Sequence, residues 1–363
     1  MMMKNISISI SEKLVNQNKN CIIDNDLLQY ITNVVTLEYQ YINFVWICSL
    51  KYNRIPFLKH ILLYQKKVTR VRGVVIHNTV RIVNGLPDKK LKRFCEKNKI
   101  TIEIEFDTSA NLLQSLSNAK SGYKVDTISV IDVYNADLLK IYKHSKKYCS
   151  KLNFKQFFIY SQNFNKQKSY EYLVGMEELF NYWLNDKNGI SLNPFIDYIR
   201  SFYKIAAKKE CINSSCLGKT LNIDSNGTIY LCAQFQKKEY EIGNFKNFSS
   251  VSEIFRTEAF TSLVKNMIEF RKVCIKNCCH FNFCQGGCSA CVNIYGMCKA
   301  YCEIVKGLDD YISHTIQEII TENKGLGTFN PVLSNIIKEI ISYNPMMLVD
   351  KECLPFYQTE KNK

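Results

Sequence analysis

Eleven of the chain's 16 cysteines fall between Cys211 and Cys302, a quarter of its 363 residues. Cys21, Cys48, Cys95, Cys149 and Cys353 are scattered over the rest. Thiols gathered so densely can close disulfides, hold zinc or hold iron–sulfur clusters. Disulfides persist in oxidising compartments. The N-terminal MMMKNISISISEKL has no apolar run of signal-peptide length and no small-residue cleavage site. FVWICSL is far shorter than the ~18 apolar residues of a membrane span. The expectation is a cytoplasmic chain with reduced thiols and no membrane partner, in which clustered cysteines bind metal rather than one another.

Spacing narrows the metal. Zinc sites usually pair two CxxC elements around one ion. Here the run is Cys211-x4-Cys216-x10-Gly227-x4-Cys232, then Cys274-x3-Cys278-x5-Cys284-x3-Cys288, then Cys298. LNI and TIYLC alternate as short strands about DSNG, a hairpin turn signal in which Gly227 supplies φ > 0. That hairpin would carry Cys216 and Cys232 at its two ends. In CQGGC, Gly286 and Gly287 let the backbone approach a bulky cluster. Amides in such turns can stabilise thiolate sulfur.

This pattern, with YEIGNF between its halves, resembles the SPASM domain, the C-terminal iron–sulfur extension of many radical-SAM peptide and protein maturases. The family places two residues where Cys274 and Cys278 enclose three. Cys279 offers an alternative, but Cys278 keeps the family's distance to Cys284. The resemblance implies two [4Fe–4S] clusters. One would use Cys211, Cys216, Cys232 and Cys288, and the other Cys274, Cys278, Cys284 and Cys298. Zinc is the alternative metal. Cys291 and Cys302 then read as structural or spare thiols, although they or Cys279 could replace a named ligand, and His280 reads as an ordinary core or surface residue.

These cysteines need elements to position them. QYITNVVTLEYQYINFVWICSL reads as buried helix or strand. From residue 74, strand-like and helix-like runs alternate. VVIHNTVRIV, ITIEIEF, VDTISVIDV and FKQFFIYS are strand-like. DKKLKRFCEKNK with Asp88 as N-cap, NLLQSLSNA, and ADLLKIYKHSKKYC capped by Asn135 are helical. Such alternation implies an α/β fold with a parallel sheet. The order resembles the later part of a radical-SAM partial (β/α) barrel, with Asn84-Gly85 and Glu103 to Asp107 at two characteristic strand ends. MEELFNYWLND and NPFIDYIRSFYK resemble the helices before the SPASM domain in anaerobic sulfatase-maturing enzymes. Glu105 and Asp107 end a strand where barrel sites lie, although simple strand-end solvation explains them better.

The radical-SAM CxxxCxxC is absent, as is the GGEP element. The expected architecture is thus a degenerate partial barrel followed by a SPASM domain. Its boundaries read as 1–73 of uncertain fold, 74–208 barrel, 209–320 SPASM domain and 321–363 helical tail. EIVKGLDDYISHTIQEII and PVLSNIIKEIISY have helical apolar spacing and are expected to pack on the cluster domain. A SPASM protein without the radical-SAM motif resembles the SPASM component of grasp-with-spasm systems. That resemblance implies an ATP-grasp ligase and a ribosomal precursor peptide as partners. The alternative is a metal-stabilised scaffold or peptide-binding adaptor without redox duty.

Charge is uneven. Residues 51–100 hold 14 Lys or Arg against Asp88 and Glu96, a net +12 of the chain's +15. Lys89, Lys90, Lys92 and Arg93 fall on one helix and are candidates for docking an acidic partner, a solvated helix face being the plain reading. No nucleic-acid motif accompanies the charge, which disfavours nucleic acid. GxSxG, HExxH, P-loop and GxGxxG signatures are absent.

Overall fold

A computed structural model describes residues 3–11, 24–48, 55–119, 123–133, 136–155, 166–203, 218–230, 232, 236–278, 280–284, 286–288, 291–292, 296, 298–321 and 329–343. In chain order the elements begin β1 (Met3–Ser11), α1 (Asn25–Glu38), β2 (Tyr39–Cys48), α2 (Ile55–Arg72), β3 (Val75–Val83), α3 (Lys89–Lys97), β4 (Thr101–Thr108) and α4 (Ser109–Ser117). There follow β5 (Val125–Asp132), α5 (Leu138–Ser145), β6 (Cys149–Phe154), α6 (Lys166–Asn185), β7 (Ser191–Asn193) and α7 (Phe195–Phe202). The last third holds β8 (Thr220–Asp224), β9 (Thr228–Tyr230), β10 (Glu241–Asn244), α8 (Val251–Ile254), α9 (Glu258–Asn277), α10 (Phe281–Cys284), α11 (Lys299–Thr321) and α12 (Pro331–Tyr343). The chain divides into two compact units, Met1–Val130 with Ser215–Glu269, and Ile131–Ser214 with Phe270–Lys363.

In the first unit β1 is central, parallel to β2 on one side and to β8 on the other. β2, β3 and β4 continue in parallel. The MKNISISIS strand alternates strictly, which separates two faces. Ile6, Ile8 and Ile10 are buried together with Phe44, Trp46, Val80, Ile82 and Ile104. Each such side chain contributes about 1.5–3 kcal/mol by leaving water. Trp46 packs edge-on against Phe57 of α2, and its indole N–H donates to Asn78 at 2.8 Å. Asn78 in turn donates to Gln65 of α2 at 2.9 Å, so this face is keyed to the helix by packing and by hydrogen bonds. The opposite face is polar. It carries Ser7, Asn43, Thr79, Arg81, Glu103 and Glu105, together with Asn222 and Asp224, which stand opposite Ser9 and Ser11.

β8 and β9 form the expected hairpin, closed by β10. Asp224 Oδ1 accepts from the amides of Asn226 and Thr228 at 2.9 and 3.0 Å, an Asx turn that fixes the corner. Gly227 has φ of 88°, and a Cβ there would stand 3.0 Å from Asn244 Oδ1. Glycine is required by both the conformation and the space.

The second unit is built on α6, α7 and α11. Phe180, Trp183 and Phe195 are fully buried, with ring centroids 5.1 to 6.0 Å apart. α11 packs on α6 and α7, so the long helix of EIVKGLDDYISHTIQEII finds its cover there. Gly307 permits the approach: a Cβ would fall 2.5 Å from Leu173. β6 and β7 pair in parallel.

The α/β class and parallel sheet agree with the sequence reading. Two local expectations change, and a third lies largely outside the described residues. α5 is capped by Asp137, whose carboxylate accepts from Lys140 N at 2.8 Å. Asn135 lies outside the described residues. β6 is CSKLNF, with Cys149, Leu152 and Phe154 buried, and the strand expected at FKQFFIYS lies, from residue 156 on, outside the described residues. Residues 1–73, left without a fold, supply β1, α1, β2 and α2.

Candidate metal centre

Cys274 lies in the last turn of α9 and Cys278 just past its end, the amide of Cys278 donating to the Cys274 carbonyl at 2.9 Å. One helical turn places both thiols on one face. Three intervening residues are therefore the helical spacing, which accounts for the departure from the family pattern. The chain then doubles back through α10. Cys284 N donates to His280 O at 3.1 Å, and Gly287 N to Cys284 O at 3.0 Å. Gly286 N points at Cys284 Sγ from 3.4 Å, an amide-to-sulfur contact that favours a thiolate. Gly286 and Gly287 both hold positive φ, 80° and 81°.

Cys302 lies in the first turn of α11, its amide donating to Cys298 O at 3.1 Å. His280 Nδ1 and Asp309 Oδ2 stand 2.7 Å apart, with Asp310 Oδ1 3.8 Å from Nε2. The hydrogen bond to Asp309 raises the His280 pKa against the opposing effect of burial. Burial pushes the Cys302 thiol up to about 11, and the charges of Cys284, Cys274 and Cys278 add to the rise. Burial also raises Cys284, with the Gly286 amide opposing and Cys278 and Cys274 adding. Cys274 is raised by burial and by Cys278, while Lys306 opposes. Cys274 and Cys278 at the end of α9, Cys284 in α10 and Cys302 in α11 are all thiols of the second unit.

This donor set suits an iron–sulfur cluster: all thiol, half-buried, with a backbone amide on one sulfur and glycine turns beside it. Among the described residues no group of three or more Cys, His, Asp and Glu is arranged to hold a metal ion. A four-iron cluster does not ask for convergence on one ion, because each thiolate takes its own iron.

Of the other expected ligands, Cys232 is half-buried just after β9 in the first unit, and Cys288 is buried in the second. Cys298 is half-buried immediately before α11. Cys211, Cys216 and Cys279 lie outside the described residues. Cys291 is fully buried. No disulfide joins the described cysteines. Sequence reasoning passed over Cys302, Lys306 and Asp309 as a stripe. Their i, i+4, i+7 spacing in CEIVKGLD was the available signal.

On the polar face of the first unit, Arg81 pairs with Glu103 at 2.9 Å and lies 3.9 Å from Glu105. Ser129 donates to Glu103 at 3.0 Å. Glu105 is buried in this network, while Asp107 is exposed and exchanges side-chain and backbone hydrogen bonds with Asn84. On α3, Asp88 caps the helix by accepting from Leu91 N at 2.7 Å. Lys89, Lys90 and Arg93 are exposed. Lys92 is half-buried, 3.7 Å from Glu96 and 5.0 Å from the centroid of the Tyr123 ring.

Residues 211–291 match the SPASM iron–sulfur cluster-binding domain, a match that ends before Cys298 and Cys302. The chain is 24% identical over 265 residues to the cysteine-type anaerobic sulfatase-maturating enzyme of Clostridium novyi (strain NT), covering 64% of this chain and 69% of that protein. Its fold matches native anSMEcpe with bound AdoMet at a TM-score of 0.66, with 16% identity over 86% of this chain and all (100%) of that one. The same protein with bound AdoMet and Cp18Cys peptide gives 0.64, with 17% identity over 87% and 100%.

Proposed function

We propose that this chain is an iron–sulfur SPASM protein that takes part in maturing a ribosomally made peptide beside an ATP-grasp ligase, and that it does not itself cleave S-adenosylmethionine. One observation carries the reading: a SPASM match joined to a maturase-like fold whose first strand is not followed by CxxxCxxC. Cys21 is the sole cysteine between β1 and β2. Three thiolates in one loop, leaving an iron open, are what binding and cleaving S-adenosylmethionine would require. The sulfatase-maturating relative and the peptide-bound structure support a peptide as the partner.

In this reading Cys211, Cys216, Cys232 and Cys288 hold one cluster, and Cys274, Cys278, Cys284 and Cys298 hold a second. Bound clusters supply electron transfer and crosslink the chain. The chain's own residues do the rest. Gly286 N steadies a sulfur, His280 and Asp309 pin α10 to α11, and the basic face of α3 meets an acidic partner. The test incubates the reduced, cluster-loaded chain with S-adenosylmethionine, with and without the precursor and ligase. No 5′-deoxyadenosine above a protein-free control is expected, and omitting the chain should halt precursor maturation. Sustained 5′-deoxyadenosine production would overturn the reading.

A further inference from the structure

The inner side of α2 fixes its rotation. Leu58, Ile61, Leu62, Gln65 and Val68 recur at helical spacing and are buried. Gln65 accepts from Asn78 at 2.9 Å, Phe57 packs edge-on against Trp46, and Arg72 donates to the Asn33 carbonyl at 2.6 Å. The opposite side of the helix therefore faces away from the sheet. It carries Lys59, Leu63, Lys66, Lys67, Arg70 and Val71, all exposed. Steps of three and four residues place them in one stripe. α2 contains no acidic residue. Among the described residues none of the four cations is in an ion pair.

A solvated face accounts for the cations but not for the aliphatic side chains set among them. Val71 is 78% exposed and Leu63 69%, the highest values of any large apolar side chain among the described residues. Leu37 follows Thr36, whose hydroxyl Arg72 also bonds, and is 61% exposed at the same end. Leu63 and Val71 stand about 12 Å apart along the axis, at 1.5 Å per residue. The aliphatic stems of Lys66, Lys67 and Arg70 lie between them.

We propose that this stripe docks an acidic peptide segment bearing apolar side chains, supplied by another protein. Charge sets the sign of the partner, because carboxylates there meet four cations and no repelling group. The aliphatics set its class. Nucleic acid binds such cations through phosphate and would leave Leu63 and Val71 without a complement. A bilayer takes up a continuous apolar face, and the apolar face of α2 is buried on the sheet. Docking on α2 needs neither bound clusters nor the basic residues of α3.

Fluorescence anisotropy at low ionic strength tests the proposal, using the full-length chain and two fluorescein-labelled probes, a peptide of Glu-Glu-Leu repeats and one of Glu-Glu-Ser repeats. The Leu peptide should bind about tenfold more tightly, and Leu63→Ser with Val71→Ser should erase that preference. Lys59→Glu, Lys66→Glu, Lys67→Glu and Arg70→Glu together should weaken both probes about tenfold or more, with far-ultraviolet circular dichroism unchanged. Equal binding of the two peptides, or a preference that survives the double substitution, would overturn the proposal. So would a preference lost on reversing Lys89, Lys90 and Arg93 instead, or tighter binding of phosphatidylserine vesicles or duplex DNA than of the Leu peptide. Should the charge-reversed chain not fold, the double substitution, which alters only exposed side chains, still decides.

Discussion

Asp186 accepts hydrogen bonds from Lys146 at 2.7 Å, from Tyr142 at 2.9 Å and from Asn188 N at 3.2 Å. Burial alone would raise its carboxyl pKa, but these partners together hold it below the ordinary value. A native pKa below the unfolded one adds stability above the usual Asp range near ~3.9, lost as pH falls through the lowered native value. Asp186→Asn should cost about 2 kcal/mol at neutral pH. In thermal melts from pH 7 downward, the gap to the unmodified chain should close at acid pH. A gap that stays constant would contradict the assignment. Such single residues were partly legible. Asp88 announced its cap because a carboxylate before an apolar-periodic run has one common use. Asn135 offers the same signal two residues before the actual cap, Asp137, since both side chains can accept from a helix's first amides. Cys302 reads as a spare thiol because motif spacing counts residues along the chain and ignores where a helix turns them.

At the scale of elements, α3 carries the argument about charge. Lys89, Lys90 and Arg93 are exposed, and Lys92 is engaged with Glu96 and Tyr123. Charge steering raises association rates and fades with salt. Reversing Lys89, Lys90, Lys92 and Arg93 to Glu should weaken binding to the precursor or the ligase at least tenfold, roughly 1.4 kcal/mol, with iron content unchanged. Equal affinities at low ionic strength would return the helix to a plain solvated face. The strands and helices themselves were legible wherever local periodicity decides them. β3, β4 and β5 and the β8–β9 hairpin fall where alternation and DSNG put them. What alternation could not give was partnership. ISISIS reads as a strand, yet its neighbours β2 and β8 lie across gaps of some tens and some hundreds of residues, and nothing local encodes that pairing.

For the whole molecule, two compact units of one chain carry an iron–sulfur motif on a fold shared with AdoMet-binding maturases. The first unit's sheet keeps an apolar face against its helices and a polar face bearing the Arg81, Glu103 and Glu105 network. The second holds Cys274 in the last turn of α9, Cys278 just past it, Cys284 in α10 and Cys302 in the first turn of α11. Burial raises the Cys274, Cys284 and Cys302 thiols, and a thiol must give up its proton to ligate a metal. The central claim is that these thiols hold iron and sulfide. Iron and acid-labile sulfide analysis of the anaerobically reconstituted full-length chain tests it most directly. The account predicts about eight of each per chain, two four-iron clusters, in a brown protein; a colourless protein carrying stoichiometric zinc would contradict it.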